Sequence, residues 1–332
     1  MQHDAATAAP SEPARAPHSG TAQRPSWDAL PERVRAAIES RAGAPVVGAR
    51  SQDGGFTEGF ASRLELADGT RVFVKAASTS RGEHAHHAYR HEALVAGLLP
   101  EAVAAPRLLW TLDLEDWVVL AFEDVESTPP QRPWVPDELA VVLVALERLA
   151  EALTPAPEAL LPLGTTADLD DDLRFWRRCS SGDADLTLVP TPWRHRVDEL
   201  AALESRWAQA AAGSTAVHFD LRDDNILLAA DGRVLVCDWN WIQLGAPWID
   251  LVGLLVSVHG DGLDAERVVA THALTRDVPP ASIDAFLVAL AGYFVDAAGR
   301  PPVETSPWLR VHQAWYRDAT LDWLTTRLPH AR

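Results

Sequence analysis

Lysine is almost missing from this 332-residue chain: of its 29 basic residues 28 are arginine, and the one lysine is Lys75. A sequence that has drifted this far toward arginine keeps a lysine where a compact ammonium on a slim stem must reach a point-like target. The guanidinium is bulkier and directs its donors as a fork. Cysteine is nearly as scarce. Cys179 and Cys237 stand far apart with no CxxC or Cys/His spacing nearby, which argues against a disulfide framework or a thiolate zinc site and suits a reducing cytoplasm. Positive charge is short throughout, with a formal net charge of −18. Nucleic acid and anionic membrane are held by clustered Lys/Arg, so both are disfavoured as partners, and cationic ligands are favoured. Residues 1–126 carry a net −6 and residues 127–332 a net −12, a surplus that solubility explains as well as substrate attraction does. No apolar run is read as reaching the roughly 18–20 residues that cross a bilayer. The longest candidate, IDLVGLLVSVHG at 249–260, reads as a buried helix.

What is present fits a soluble enzyme of ordinary composition, 47% hydrophobic and 23% charged. Residues 1–26, rich in Ala, Pro and Ser, read as a disordered tail. Leu30, Val34 and Ile38 then recur at helical spacing up to about Ala42. VVGAR (46–50), FASRLEL (60–66) and RVFVKAA (71–77) predict an antiparallel meander closed by Asp68-Gly69. In its third strand Phe73 and Lys75 share a face, opposite Val72 and Val74. A helix over 83–99 and two strand-like segments, PRLLWTLD and WVVLAFED, complete this part. From Pro136 the periodicity is helical, over about 137–153, 193–212, 248–258, 280–298 and 306–328, with 215–238 as the exception. The pattern predicts an α+β chain of two lobes. After the tail come a sheet-rich N-lobe over 27–123 and a helical C-lobe over 124–332, the outline of a protein-kinase-like fold.

The exceptional stretch reads AVHFDLRDDNILLAADGRVLVCDWNWI, residues 216–242. Asp220 and Asn225 precede a hairpin with Asp231-Gly232 at its tip, and Asp238 ends the following apolar strand. Phosphoryl transfer needs such groups: one carboxylate to orient and deprotonate a hydroxyl, and an amide oxygen and a second carboxylate as hard ligands for Mg²⁺. An HxDxxxxN element, a hairpin and Asp-Trp, about 145 residues after a strand lysine, is a specific combination.

HFDLRDDN (218–225), DWNW (238–241) and GAPWIDL (245–251) resemble, in order and spacing, the motifs of the aminoglycoside phosphotransferase family, small-molecule kinases with a protein-kinase-like fold. The resemblance implies that Asp220 is the catalytic base, Asn225 and Asp238 bind Mg²⁺, Lys75 holds nucleotide phosphates, Glu92 pairs with Lys75, and Asp250 braces the catalytic loop. It places the hinge at AFEDVES (121–127), with backbone near Glu123 to Val125 meeting the adenine edge and Phe73 near the base. The loop GGFTEG (54–59) then either covers phosphates or is a plain hairpin turn. The implied reaction is transfer of the γ-phosphate of ATP or GTP to a hydroxyl of a small polar, cationic acceptor such as an aminoglycoside, by a monomer or dimer. A choline, sugar or homoserine kinase and a silent nucleotide-binding module are the alternatives. Phe219 stands where many relatives have Gly, and no Arg lies between His218 and Asp220, so a regulated protein kinase is disfavoured.

Three other features read as structural. His87 and His91 at i, i+4 lack a third metal ligand. The acidic run DLDDD (168–172) suits a helix N-terminus, with contacts to substrate amines as its rival reading. Trp308, Trp315, Asp318 and Trp323 fall in the last helix at spacings typical of core, with the wall of an acceptor pocket as the rival reading.

Overall fold

The structure, a computed structural model, describes residues 15–81 and 83–328. Helix α1 (Glu32–Ala42) buries Val34 and Ile38, one turn apart, and stops at Gly43, whose φ of 89° is open to glycine at little cost. Strands β1 (Val46–Ser51), β2 (Phe60–Leu66) and β3 (Arg71–Ser78) follow, then α2 (Glu83–Leu98), β4 (Leu108–Leu114) and β5 (Trp117–Glu123). They make one antiparallel sheet of order β1-β2-β3-β5-β4. The alternation in β3 sorts the two faces as its sequence predicts. Val72, Val74 and Ala76 pack with Leu30, Val34 and Ile38, while Phe73 and Ala77 pack with Tyr89 of α2 and with Leu120 and Phe122. Lys75, opposite Leu120 in β5, shares this second face.

After the connector, β6 (Ser127–Thr128) leads into α3 (Pro136–Ala152), α4 (Phe175–Ser181), α5 (Val197–Glu204) and α6 (Trp207–Ala210). The single helix expected over 193–212 is a 3₁₀ turn and two short helices, tightened at Ser205 and Arg206. Its buried side chains are held from outside: Glu204 accepts from the amides of Trp176 and Arg177 at 3.0 and 2.8 Å, and Trp207 donates to Asp170 at 3.1 Å. Strands β7 (Thr215–Val217), β8 (Ile226–Ala229), β9 (Val234–Val236) and β10 (Gln243–Gly245) form two small sheets, β10-β7 and β6-β8-β9. Then come α7 (Ile249–Gly260), α8 (Ala265–Thr271), α9 (Pro280–Ala298) and α10 (Leu309–Arg327), whose apolar faces share one large core with α3 to α6.

Two expectations are corrected. Helix α9, 19 residues with a mean hydropathy of 1.5 over its most apolar window, is long and apolar enough to cross a membrane, although the sequence reading found no such run. Small residues spread its apolar character, and its length is spent inside the C-lobe, where Phe286, Leu287 and Val288 are fully buried. The second correction concerns residues 15–26, read as disordered tail. Thr21 and Ala22 are buried and donate their amides to the Asp53 carbonyl at 3.0 and 3.1 Å, and Gln23 donates to the Thr305 carbonyl at 2.8 Å. Backbone and arginine hydrogen bonds order this segment, and composition does not count them. The rest of that tail, residues 1–14, lies outside the described residues.

Candidate active site

The lone lysine sits where the two lobes meet. Its Nζ lies 2.7 and 2.8 Å from the two carboxylate oxygens of Glu92 on α2, and 2.7 Å from Oδ1 of Asp238, just past β9. The Tyr89 ring covers it at 5.4 Å. Burial opposes the charge of this ammonium, but Asp238 and Glu92 outweigh burial and hold its pKa above the usual lysine range. One cation cannot satisfy two buried carboxylates equally. Burial pushes Glu92 up to about 7 against the pull of Lys75. At Asp238 burial is outweighed by Lys75, and the pKa falls to about 2. Asp238 therefore carries a full negative charge at neutral pH.

The catalytic-loop motif is held by its own short-range bonds. Asp250, on the first turn of α7, accepts from the amides of His218 and Phe219, each at 2.8 Å, which is the bracing role implied for it. Phe219 has φ of +65°, and its ring packs near Trp207 and Phe286 at 6.4 and 6.2 Å. Packing of a large ring offsets backbone strain of about 1–2 kcal/mol. His218 Nε2 meets the Cys237 carbonyl at 2.9 Å, and its Nδ1 accepts from the amide of Asp220 at 3.3 Å, so Nε2 carries the proton. Burial raises the pKa of Asp220, while Arg222 and His218 oppose that rise. Arg222 donates to Asp220 at 3.0 Å and grips Asp224 at 2.9 and 3.2 Å. Position 222 carried no role in the sequence reading, because an arginine two residues past a carboxylate has no motif of its own.

Asn225 donates to the Asp220 carbonyl at 2.8 Å, which fixes its amide and leaves its side-chain oxygen as the hard donor. Its carbonyl receives the Cys237 amide at 2.9 Å, bringing Asn225 beside Asp238. Asn240 donates to Asp238 at 2.7 Å, and its own side-chain oxygen is buried without a partner. No cluster of three or more His, Cys, Asp or Glu suited to a metal occurs among the described residues. The donor set still suits Mg²⁺, which takes one or two protein oxygens and fills its octahedron with water and phosphate.

Glu123 ends β5 and Val125 lies in the connector to β6. The amide of Glu123 donates to the Arg107 carbonyl at 2.9 Å, and the Val125 carbonyl accepts from Arg63 at 2.8 Å and Ser127 at 3.2 Å. Residues 54–59 reach across the cleft. Arg24 donates to the carbonyls of Gly54 and Gly59 at 2.8 and 2.9 Å and to the Tyr89 hydroxyl at 3.2 Å. Phe56 at the tip packs 4.6 Å from the His312 ring and lies under the Arg222 guanidinium at 5.6 Å. His91 does not join His87 in a metal pair; its Nδ1 meets the Asn240 carbonyl at 2.8 Å. In the acidic run, Asp168 completes a capping box with Thr165, and Asp170 pairs with Arg177 at 2.8 Å.

The family model of the phosphotransferase enzyme family, APH, matches residues 56–286, a span that contains Lys75, Glu92, Asp220, Asn225 and Asp238. Among solved structures, the aminoglycoside phosphotransferase APH(4)-Ia in ternary complex with ADP and hygromycin B is similar at TM-score 0.59 and 14% identity. The alignment covers 90% of this chain and 99% of that one. The choline kinase LicA from Streptococcus pneumoniae is similar at TM-score 0.59 and 14% identity, over 89% and 100% of the two chains. An aminoglycoside phosphotransferase from Alicyclobacillus acidocaldarius gives 0.54 and 17%, over 90% and 95%. A comparison with curated proteins finds no match. The two-lobed, kinase-like fold and the family match agree, and the chain belongs to the aminoglycoside phosphotransferase type of the phosphotransferase enzyme family, which are small-molecule kinases.

Proposed function

We propose that this enzyme transfers the γ-phosphate of ATP or GTP to a hydroxyl of a small polar molecule. The observation that carries the reading is the Lys75 ammonium, joined at 2.7 Å both to Glu92 of the N-lobe and to Asp238 of the C-lobe. That arrangement sets a point cation beside a charged carboxylate at the mouth between the lobes, with Asp220 and Asn225 on the adjacent loop. In this reading Lys75 takes the α- and β-phosphates and Glu92 keeps it aimed. Asn225 and Asp238 would hold Mg²⁺, whose charge would offset that of the phosphate oxygens. Asp220 orients the acceptor hydroxyl and receives its proton, and backbone from Glu123 to Val125 meets the base. Catalysis on these terms is mostly positioning and electrostatic stabilisation.

Relatives of the same fold support two acceptor classes. APH(4)-Ia was solved with hygromycin B, which favours an antibiotic, and LicA is a choline kinase, which favours a metabolite alcohol. Both free cysteines suit the reducing cytoplasm in which such a donor is abundant. The test is ADP or GDP release with Mg²⁺ against aminoglycosides, amino alcohols, sugars and cyclitols, with Asp220→Asn as control. Acceptor-dependent turnover that disappears in D220N is the expected result. Nucleotide binding that ignores Mg²⁺ and survives Lys75→Ala would overturn the reading.

A further inference from the structure

Beneath residues 15–21 lies a cavity of about 240 Å³, floored by Asp223 and Asp224 of the catalytic loop and walled by Phe56, His312, Trp315 and Tyr316. Its carboxylates are already answered. Asp223 pairs with Arg132 at 2.5 Å and has His18 at 3.6 Å, and Asp224 is gripped by Arg222. An ammonium entering here would have to displace a guanidinium, at the cost of leaving that arginine buried and unpaired. What the walls offer is of another kind. The rings of Phe56, His312 and Tyr316 form a row with neighbouring centroids 4.6 Å apart. The imidazole in the middle is neutral, because burial, aided by Arg222 and Arg132, pushes its pKa down to about 3. The Tyr316 hydroxyl is buried and has no hydrogen-bond partner among the described residues, although the residue is only 4% exposed. Such an orphan at a cavity wall marks a position where a ligand oxygen completes the set. The volume equals that of about eight liquid waters, room for one substituted ring.

We infer that this cavity is the acceptor subsite and that it takes a neutral, single-ring polyol, a monosaccharide or cyclitol, in preference to a multi-ring polyamine. The inference rests on the phosphotransfer reading above. Cavity and base stand on either side of one side chain, since Arg222 holds Asp224 in the floor and Asp220 at 3.0 Å. A ring hydroxyl reaches Asp220 at its other carboxylate oxygen, Oδ2, so Arg222 keeps its bonds to Oδ1 and to Asp224. Its proton passes to Asp220 as its oxygen bonds to the γ-phosphorus. The bond from that phosphorus to the bridging oxygen breaks, and the nucleoside diphosphate leaves with the bond pair. Residues 15–21 form the roof, so they select what enters.

The experiment pairs calorimetric titration of the full chain, without nucleotide, with steady-state diphosphate release. Its probes are glucose, galactose and myo-inositol on one side and hygromycin B on the other, for the wild type and Tyr316→Phe. Removal of an unpartnered hydroxyl leaves the fold intact, so Y316F should melt no lower than the wild type. The expected result is binding and turnover of at least one single-ring polyol, with Kd and acceptor KM raised about five- to tenfold in Y316F and the nucleotide KM unmoved. Preferred binding or turnover of hygromycin B, or a polyol affinity indifferent to Y316F, overturns the inference and leaves the kinase reading standing. A polyol bound through Tyr316 but never phosphorylated with either nucleotide overturns the acceptor role of the cavity, while the kinase reading is decided separately by nucleotide binding in Lys75→Ala.

Discussion

Lys75 shows why one ammonium survives in an arginine-rich chain. Its Nζ touches three carboxylate oxygens of two residues within 2.8 Å, under a tyrosine ring, and a planar fork of five donors cannot be packed into that space. Lys75→Arg is therefore expected to lose at least about a hundredfold in kcat/KM, the scale of removing one preorganised donor, while its melting temperature stays within a few degrees of the wild type. Near-full activity in K75R would refute the argument. Arg222 makes a second prediction, in pH. Burial raises the Asp220 pKa and the Arg222 charge lowers it, so removing that charge lets it rise further. The base is then protonated up to a higher pH, and the acid limb of the kcat/KM profile should move upward in Arg222→Ala relative to wild type. An unmoved limb would mean that another group sets it.

The loop over residues 54–59 shows how an element is positioned by chain far from it in sequence. Arg24 bonds the carbonyls at both ends of the loop, and Ser306 donates to the Phe56 carbonyl at 2.6 Å from the other lobe. Gly59 must be glycine, since a Cβ there would lie 2.6 Å from the Tyr89 ring. Arg24→Ala frees the loop and leaves two carbonyls without their donor. The expected outcome is a nucleotide KM about tenfold higher, in line with about 1.5–3 kcal/mol for hydrogen bonds to a charged group. Arg24→Lys, reaching one carbonyl, should fall between. Equal nucleotide KM in all three proteins would mean that the loop does not face phosphate. Beside it, the catalytic loop keeps a left-handed Phe219 because Asp250 takes its amide and the Trp207 and Phe286 rings hold its side chain.

Across the molecule, the bonds from Lys75 to Asp238 and from Ser306 to the Phe56 carbonyl tie the two lobes along one cleft. A Mg²⁺-nucleotide bound there touches both lobes and should stabilise them together. At 100 times Kd the gain is about 2.7 kcal/mol, read as a rise of several degrees in melting temperature. EDTA should remove most of that rise in the wild type, and Asp238→Asn should show little of it from the start. Much of this architecture was legible in the chain. Alternating residues in β3 and the Asp68-Gly69 turn gave the meander, and helical periodicity gave α1, α3, α7, α9 and α10 to within a few residues, since those signals are local. The cluster of Lys75, Glu92, Asp220, Asn225 and Asp238 was legible as motif pieces in order. Residues 15–24 were not, because their order comes from single hydrogen bonds to Asp53, Gly54 and Thr305 that no periodicity announces. Nor could the row of Phe56, His312 and Tyr316 be foreseen, as its rings are 260 residues apart in the chain at their extremes and meet only in the folded chain. Local chemistry thus determined which charged and polar groups this protein carries in its motifs, since backbone pattern and motif spacing are properties of neighbouring residues. Tertiary packing alone decided what lies opposite Asp220, because charge pairing and cavity shape arise from contacts between distant segments.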